Sequence, residues 1–298
     1  MSNPVLEIKV ANWVERAKPD PAAYRQRQTI EIVLNSIAMT TPLNVEMFLK
    51  GGILMGLAYD SPRQTSDIDL TTYLTAVADV DNKIRRLLDL ALPRAATELG
   101  YADLIVRTHS VKRLPKKPPF EEAQFPALQL KIAYARRGTR EETALSEGKT
   151  TNVINLDISF NEPLGRFQVL ELTGGQQLRA YSLVDLIAEK YRAMLQQVTR
   201  RRNRRQDVYD LDLLIVDDQI DDSCCAQVLE ALIEKCNSRH ISPTRMSLDN
   251  PEIKRRSGAD WQTMELELGK VPDFEDCFTR VSQFYRDLPW QTTRTPEK

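Results

Sequence analysis

The sequence predicts an α/β domain over 1–180, a mixed sheet with flanking helices, followed by an all-α domain over 181–298. Three observations predict it. Between residues 45 and 180, short apolar runs alternate with helical stripes. Val153 to Phe160 alternates strictly, with Ile154, Leu156, Ile158 and Phe160 on one face and Val153, Asn155, Asp157 and Ser159 on the other. From Ser182 onward only helical spacing is left.

In order, Ile30, Val33, Leu34 and Ile37 mark a helix over 21–38, which Thr41-Pro42 ends. Val45 to Leu49 reads as a short strand, Gly51-Gly52 as a turn and Ile53 to Leu57 as the start of a helix. A loop at Asp60-Ser61-Pro62 leads to a strand from Asp67 to Tyr73. Ile84, Leu87, Leu88 and Ala91 mark a second helix that ends near Gly100. Leu104 to Val106 and Ala127 to Tyr134 read as strands, joined by a loop containing Lys116-Lys117-Pro118-Pro119. Gly138 to Thr150 is polar and reads as an exposed hairpin tip, and Gly174-Gly175 as a tight turn between two strands. Ser182 and Asp185 form a capping pair before the stripe Leu183, Leu186, Ile187, Met194 and Val198. Helices are expected at 208–216, 224–236 and 274–285.

Composition narrows the function. The chain has 298 residues, 42% apolar and 28% charged, with a net charge of −1. It reads as a soluble globular protein without a global basic field, so any nucleic acid would be held by local clusters. Met1 to Arg16 lacks a basic start followed by an apolar core, and no apolar run approaches a membrane span. Neither a signal peptide nor a membrane partner is expected. Four cysteines without a CxxC pair fit a reducing, cytoplasmic location.

The chemistry concentrates in Lys50-Gly51-Gly52 and Ser66-Asp67-Ile68-Asp69. Glycines let phosphate approach backbone N–H groups. Asp67 and Asp69 alternate, so on a strand both carboxylates share a face, as a Mg²⁺-nucleotide site requires. Asp157 lies opposite the apolar face of its own strand; it either meets water or completes a metal triad. Lys190 shares the stripe of Leu186, Ile187 and Met194, and either snorkels or reaches a cleft where it neutralises phosphates. Asp207 and Asp210 share a helix face. The run Arg200 to Arg205 is either a solvated helix end or a contact for RNA or triphosphate.

Lys50-Gly51-Gly52 with Arg63-Gln64-Thr65-Ser66-Asp67-Ile68-Asp69-Leu70 resembles the first motif of DNA-polymerase-β-type nucleotidyltransferases, in the form found in the AbiEii toxin family of type IV toxin–antitoxin systems. Asn155-Leu156-Asp157-Ile158-Ser159 is similar to the third-carboxylate strand of that superfamily. Ala188-Glu189-Lys190 and Arg205-Gln206-Asp207-Val208-Tyr209-Asp210-Leu211 resemble its helical motif. Gln206 replaces a usual arginine and Ile53 a usual threonine; neither position is a metal ligand.

The resemblance implies a bilobal nucleotidyltransferase with its site between the lobes. Lys50, Gly51, Gly52, Ser66 and Lys190 would bind a nucleoside triphosphate. Asp67, Asp69 and Asp157 would hold Mg²⁺ or Mn²⁺, and Asp207 would orient Lys190 or contact the acceptor. The implied acceptor is RNA, with the tRNA 3′ end expected, and the implied partner an AbiEi-type antitoxin. A protein or small-molecule acceptor, or non-catalytic nucleotide or RNA binding, are the alternatives.

Overall fold

The computed structural model describes residues 5–216 and 220–290. The first four residues of the Met1 to Arg16 stretch, and the last eight of the expected helical domain, lie outside it. The chain forms two compact units. One comprises Met1–Asp60, Thr65–Glu162 and Phe167–Ala180; the other comprises Ser61–Gln64, Pro163–Arg166 and Tyr181–Lys298. The first is a mixed sheet with helices and the second is mostly helical, as periodicity predicts.

Eight strands are described: β1 (Val5–Glu7), β2 (Met47–Lys50), β3 (Ile68–Thr72), β4 (Leu104–Leu114), β5 (Ala127–Arg136), β6 (Val153–Phe160), β7 (Phe167–Glu171) and β8 (Gln177–Tyr181). Their order across one sheet is β1-β7-β8-β2-β3-β6-β5-β4. β3 runs antiparallel to β2 and parallel to β6, while β4, β5 and β6 form an antiparallel ribbon. One face is the core: Ile68 and Leu70, Leu128 and Ile132, and Leu156, Ile158 and Phe160 are all 0% exposed. The helices Pro21–Ala38 and Val80–Glu98 pack on this side. Pro21–Ala38 starts where it does because the Asp20 carboxylate accepts the Ala22 and Ala23 N–H groups and Pro21 occupies the first turn. It buries Ile30, Val33, Leu34 and Ile37, the stripe the sequence marks.

Four elements differ from expectation. The run 45–49 splits into a one-turn helix, Leu43–Glu46, and β2. Gly51 opens the helix Gly51–Ala58 instead of forming a separate turn. β4 continues eight residues past Val106, because Arg107, Ser110 and Lys112 face water and erase the apolar signal. The segment 138–150 is no bare hairpin tip. It carries the helix Arg140–Ser146, capped by the Thr139 hydroxyl, which accepts the Glu141 N–H. Leu145 packs onto Ala133 and Ala135 of β5, with Ile105 and Val153 alongside. A single leucine in a polar run leaves no periodicity to read.

In the helical unit, Leu183–Gln196 begins at Ser182, whose hydroxyl accepts the Asp185 N–H as expected. Arg205–Leu214, Asp222–Ser238 and Phe274–Asp287 follow, each close to its expected place. Ile187, Tyr191, Val208, Leu211, Leu232 and Val281 are fully buried among them. The unit also buries charge. Asp185 accepts from Lys235 (3.0 Å) and from the Gly165 and Arg166 N–H groups (3.2 and 2.8 Å). Lys235 donates in addition to the Pro163 carbonyl at 2.6 Å. No helix among the described residues is long and apolar enough to cross a membrane.

Candidate active site

The face of the sheet opposite the core carries the predicted carboxylates. Asp69 on β3 and Asp157 on β6 are direct register partners. Neighbouring strands lie about 4.8 Å apart, so these two side chains stand side by side. Asp67, just before β3, is exposed and accepts from Asn155 Nδ2 at 3.0 Å. Lys50 on β2 is the partner of Asp69 on the other side. The order across the sheet is therefore Lys50, Asp69, Asp157 and then Gln129 of β5.

Gly51 sits against this row. Its φ is +71°, and a Cβ there would lie 2.2 Å from Asp69 Oδ2. The helix start can approach the carboxylate so closely only because the residue has no side chain. Gly51→Ala is expected to lower stability by roughly 2–5 kcal/mol, summing left-handed backbone strain and overpacking, and to displace Asp69. Denaturant unfolding measures the first effect and nucleotide transfer the second.

Asp157 stands in a perturbing environment. Burial and then the Asp67 charge raise its pKa, partly offset by a hydrogen bond with Gln129 and by Lys50. Its Oδ1 is buried without a hydrogen-bond partner among the described residues. Such an oxygen is costly unless a cation or proton satisfies it.

Lys50 is not left pointing at empty space. It ion-pairs with Glu162, and its ammonium lies 3.3 Å from Ser159 Oγ. The Thr71 hydroxyl donates to the same Glu162 carboxylate at 2.8 Å. Ser66 is half-buried in the irregular stretch before β3, and Gly52 lies in the first turn of the Gly51–Ala58 helix.

Within the helical unit, Lys190 is 5% exposed and lies between Asp207 (3.4 Å) and Asp210 (2.6 Å). Asp210 also receives the Arg63 guanidinium at 2.8 Å. Arg204 lies 3.4 Å from Asp207, and Gln206 is exposed. Arg200, Arg201 and Arg202 are exposed in the turn after Leu183–Gln196.

Among the described residues, no three His, Cys, Asp or Glu side chains converge as a ready metal cage. Asp67 is engaged by Asn155, while Asp69 faces Gly51. The donor set itself fits a hard divalent cation: carboxylate oxygens, two of them on register partners, one with an orphaned oxygen.

The sequence model of the family described as "Nucleotidyl transferase AbiEii toxin, Type IV TA system" matches residues 32–280. The chain belongs to the AbiEii family. It is classed on that basis as a nucleotidyltransferase enzyme of the toxin type. No curated protein matches significantly in sequence. Among solved structures, MenT4, a nucleotidyltransferase toxin from Mycobacterium tuberculosis H37Rv, is similar in fold. The TM-score is 0.50 at 13% identity, covering 94% of this chain and 99% of that one.

In this AbiEii-family chain the structure brings Lys50, Gly51, Asp67, Asp69 and Asp157 onto one sheet region, and Lys190 and Asp207 into one cluster. Sequence reasoning missed Asn155, Gln129 and Glu162 as their partners, and Arg63 as the partner of Asp210. For Asn155 and Gln129 a signal existed: polar residues on the same strand face as Asp157, or opposite it. For Glu162 there was none, and Arg63 stood only as the first residue of the resembling segment Arg63 to Leu70, with no partner indicated.

Proposed function

We propose that this protein transfers nucleotides from a nucleoside triphosphate to an RNA acceptor, the tRNA 3′ end, in a Mg²⁺- or Mn²⁺-dependent reaction that halts translation in the cytoplasm. An AbiEi-type antitoxin would neutralise it. Family membership supports the reaction class. The observation that carries the site is the Asp69–Asp157 register pair, with Gly51 against one carboxylate and an unpartnered oxygen on the other.

In this reading Gly51, Gly52 and Ser66 cradle the triphosphate, with Lys50 at the edge of the row. Asp67, Asp69 and Asp157 hold the divalent ion, which when bound would lower the acceptor hydroxyl pKa and offset charge on the departing pyrophosphate. Asn155 keeps Asp67 turned toward the row. Asp157, side by side with Asp69 in register, is the carboxylate placed to take the acceptor proton at an oxygen. Lys190 supplies the positive charge that resembling motifs assign to it, and its 3.4 Å contact supports Asp207 as the residue that orients it.

The test incubates purified protein with each labelled triphosphate and total tRNA, with and without EDTA. Label is expected in RNA with at least one nucleotide, and its loss is expected with EDTA and in Asp69→Ala. Absence of label from RNA with every nucleotide overturns the RNA reading. Label in protein or small-molecule fractions would move the acceptor to that class.

A further inference from the structure

The carboxylate face continues across β6, β5 and β4, and its character changes sign along the way. Register carries Asp69 to Asp157, then Gln129, then Lys112. One row along, Asn155 stands beside Lys131, and Lys131 beside Ser110. Gln129, Lys131, Ser110 and Lys112 are all exposed. Neither lysine ammonium has an ion pair or hydrogen bond with the described residues. The loop after β4 adds Lys116 and Lys117, both exposed. On the same face, the helix Arg140–Ser146 covers the far end of β5 through Leu145, so the open strip is bounded there.

Two unpaired lysines on rigid strands have a structural use only as solubilising charge. Their register gives them another. Lys112 is two strands from Asp157, about 10 Å at the usual strand spacing, and Lys131 is one strand from Asn155. A chain whose reactive end lies at the carboxylates and which carries a negative charge on every residue would meet both ammonium groups. Phosphate contacts of this kind position a nucleic acid without reading its sequence.

We infer that the exposed β4–β5 strip, through Lys112 and Lys131, is the docking surface for the phosphodiester backbone of the RNA acceptor. This rests on the RNA-transfer reading above. The lysines are positioning residues, since they hold the acceptor and do not touch the reacting atoms.

The experiment measures binding of fluorescently labelled total tRNA across a salt series, for the full-length protein and for Lys112→Ala/Lys131→Ala. Each single-strand phosphate contact contributes about 0.7 to the slope of log K against log salt. The double variant is expected to lose about 1.4 from that slope and to bind roughly 10-fold more weakly at physiological salt. Lys83→Ala/Arg86→Ala removes the same charge from the exposed side of the helix Val80–Glu98, which packs on the opposite face. It is expected to change neither. Unchanged slope and affinity in the lysine variant overturn the strip, as does an equal loss in the control. Label transfer by the parent protein separates the two ideas. Transfer to RNA with unaltered binding in the lysine variant overturns the strip and leaves the reaction. A reduced slope without any transfer supports the strip and overturns the reaction.

Discussion

Asp157→Asn is expected to slow nucleotide transfer by about two to three orders of magnitude and yet to unfold no more easily than the parent. The two halves have one cause. Asp157 is half-buried, repelled by Asp67, and has an oxygen without a partner. Removing its charge relieves the fold by roughly 1 kcal/mol, the low end for an unsatisfied buried polar group, because the residue is partly open to water. It also removes a carboxylate placed to hold a cation or take a proton, a loss on the order of 10²–10³ in rate for one preorganised charge. The pH dependence has a definite sign. The folded-state pKa of Asp157 is raised, so its contribution to stability is complete below the ordinary aspartate value of about 3.9. That contribution is lost as pH rises through the folded-state value. Asparagine has no such loss, so the stability advantage of the variant should widen across that window and then level off. Thermal unfolding from pH 3 to 8 measures it. A variant markedly less stable at neutral pH would show that the carboxylate is structural.

Asp185→Ala is expected to cost the most stability, about 3–5 kcal/mol, through an uncompensated buried charge. Lys235 is 3% exposed and would lose its only carboxylate partner among the described residues. The Gly165 and Arg166 N–H groups would lose their acceptor as well. Replacing the pair together, Asp185→Leu with Lys235→Met, should recover much of the loss, since apolar replacement of a buried ion pair is often neutral. Denaturant titration of the three proteins measures this. A single variant within 0.5 kcal/mol of the parent would show that water already reaches the pair.

These two residues also mark where sequence reasoning succeeds and stops. Val153 to Phe160 was legible end to end, because a half-buried strand writes its two faces in alternate residues, and Asp157 stood out as an acid facing away from a core. The helix Pro21–Ala38 was legible from its apolar stripe and from Thr41-Pro42 just beyond its end, while the Asp20 cap emerged only in the structure. The Gly-Gly and Asp-x-Asp segments announced the site because phosphate and metal chemistry constrain residue types locally. Charge partners were not legible. Glu162 lies 112 residues from Lys50, and Asp210 lies 147 from Arg63. Their pairing is a product of topology, and no spacing rule spans such distances. The Arg140–Ser146 helix stayed hidden for a simpler reason: its packing face is essentially Leu145.

The helical unit is assembled from three separate stretches of chain, and the two short ones bring specific atoms. Ser61–Gln64 brings the Arg63 guanidinium to Asp210, and Pro163–Arg166 brings a carbonyl and two N–H groups to Lys235 and Asp185. A gene fragment starting at residue 181 would therefore leave behind the groups that neutralise its own interior. Exchange of the helical unit of this chain would fail at that junction unless both short stretches travelled with the helices. Recombination that preserves this unit has to keep three distant codon blocks together.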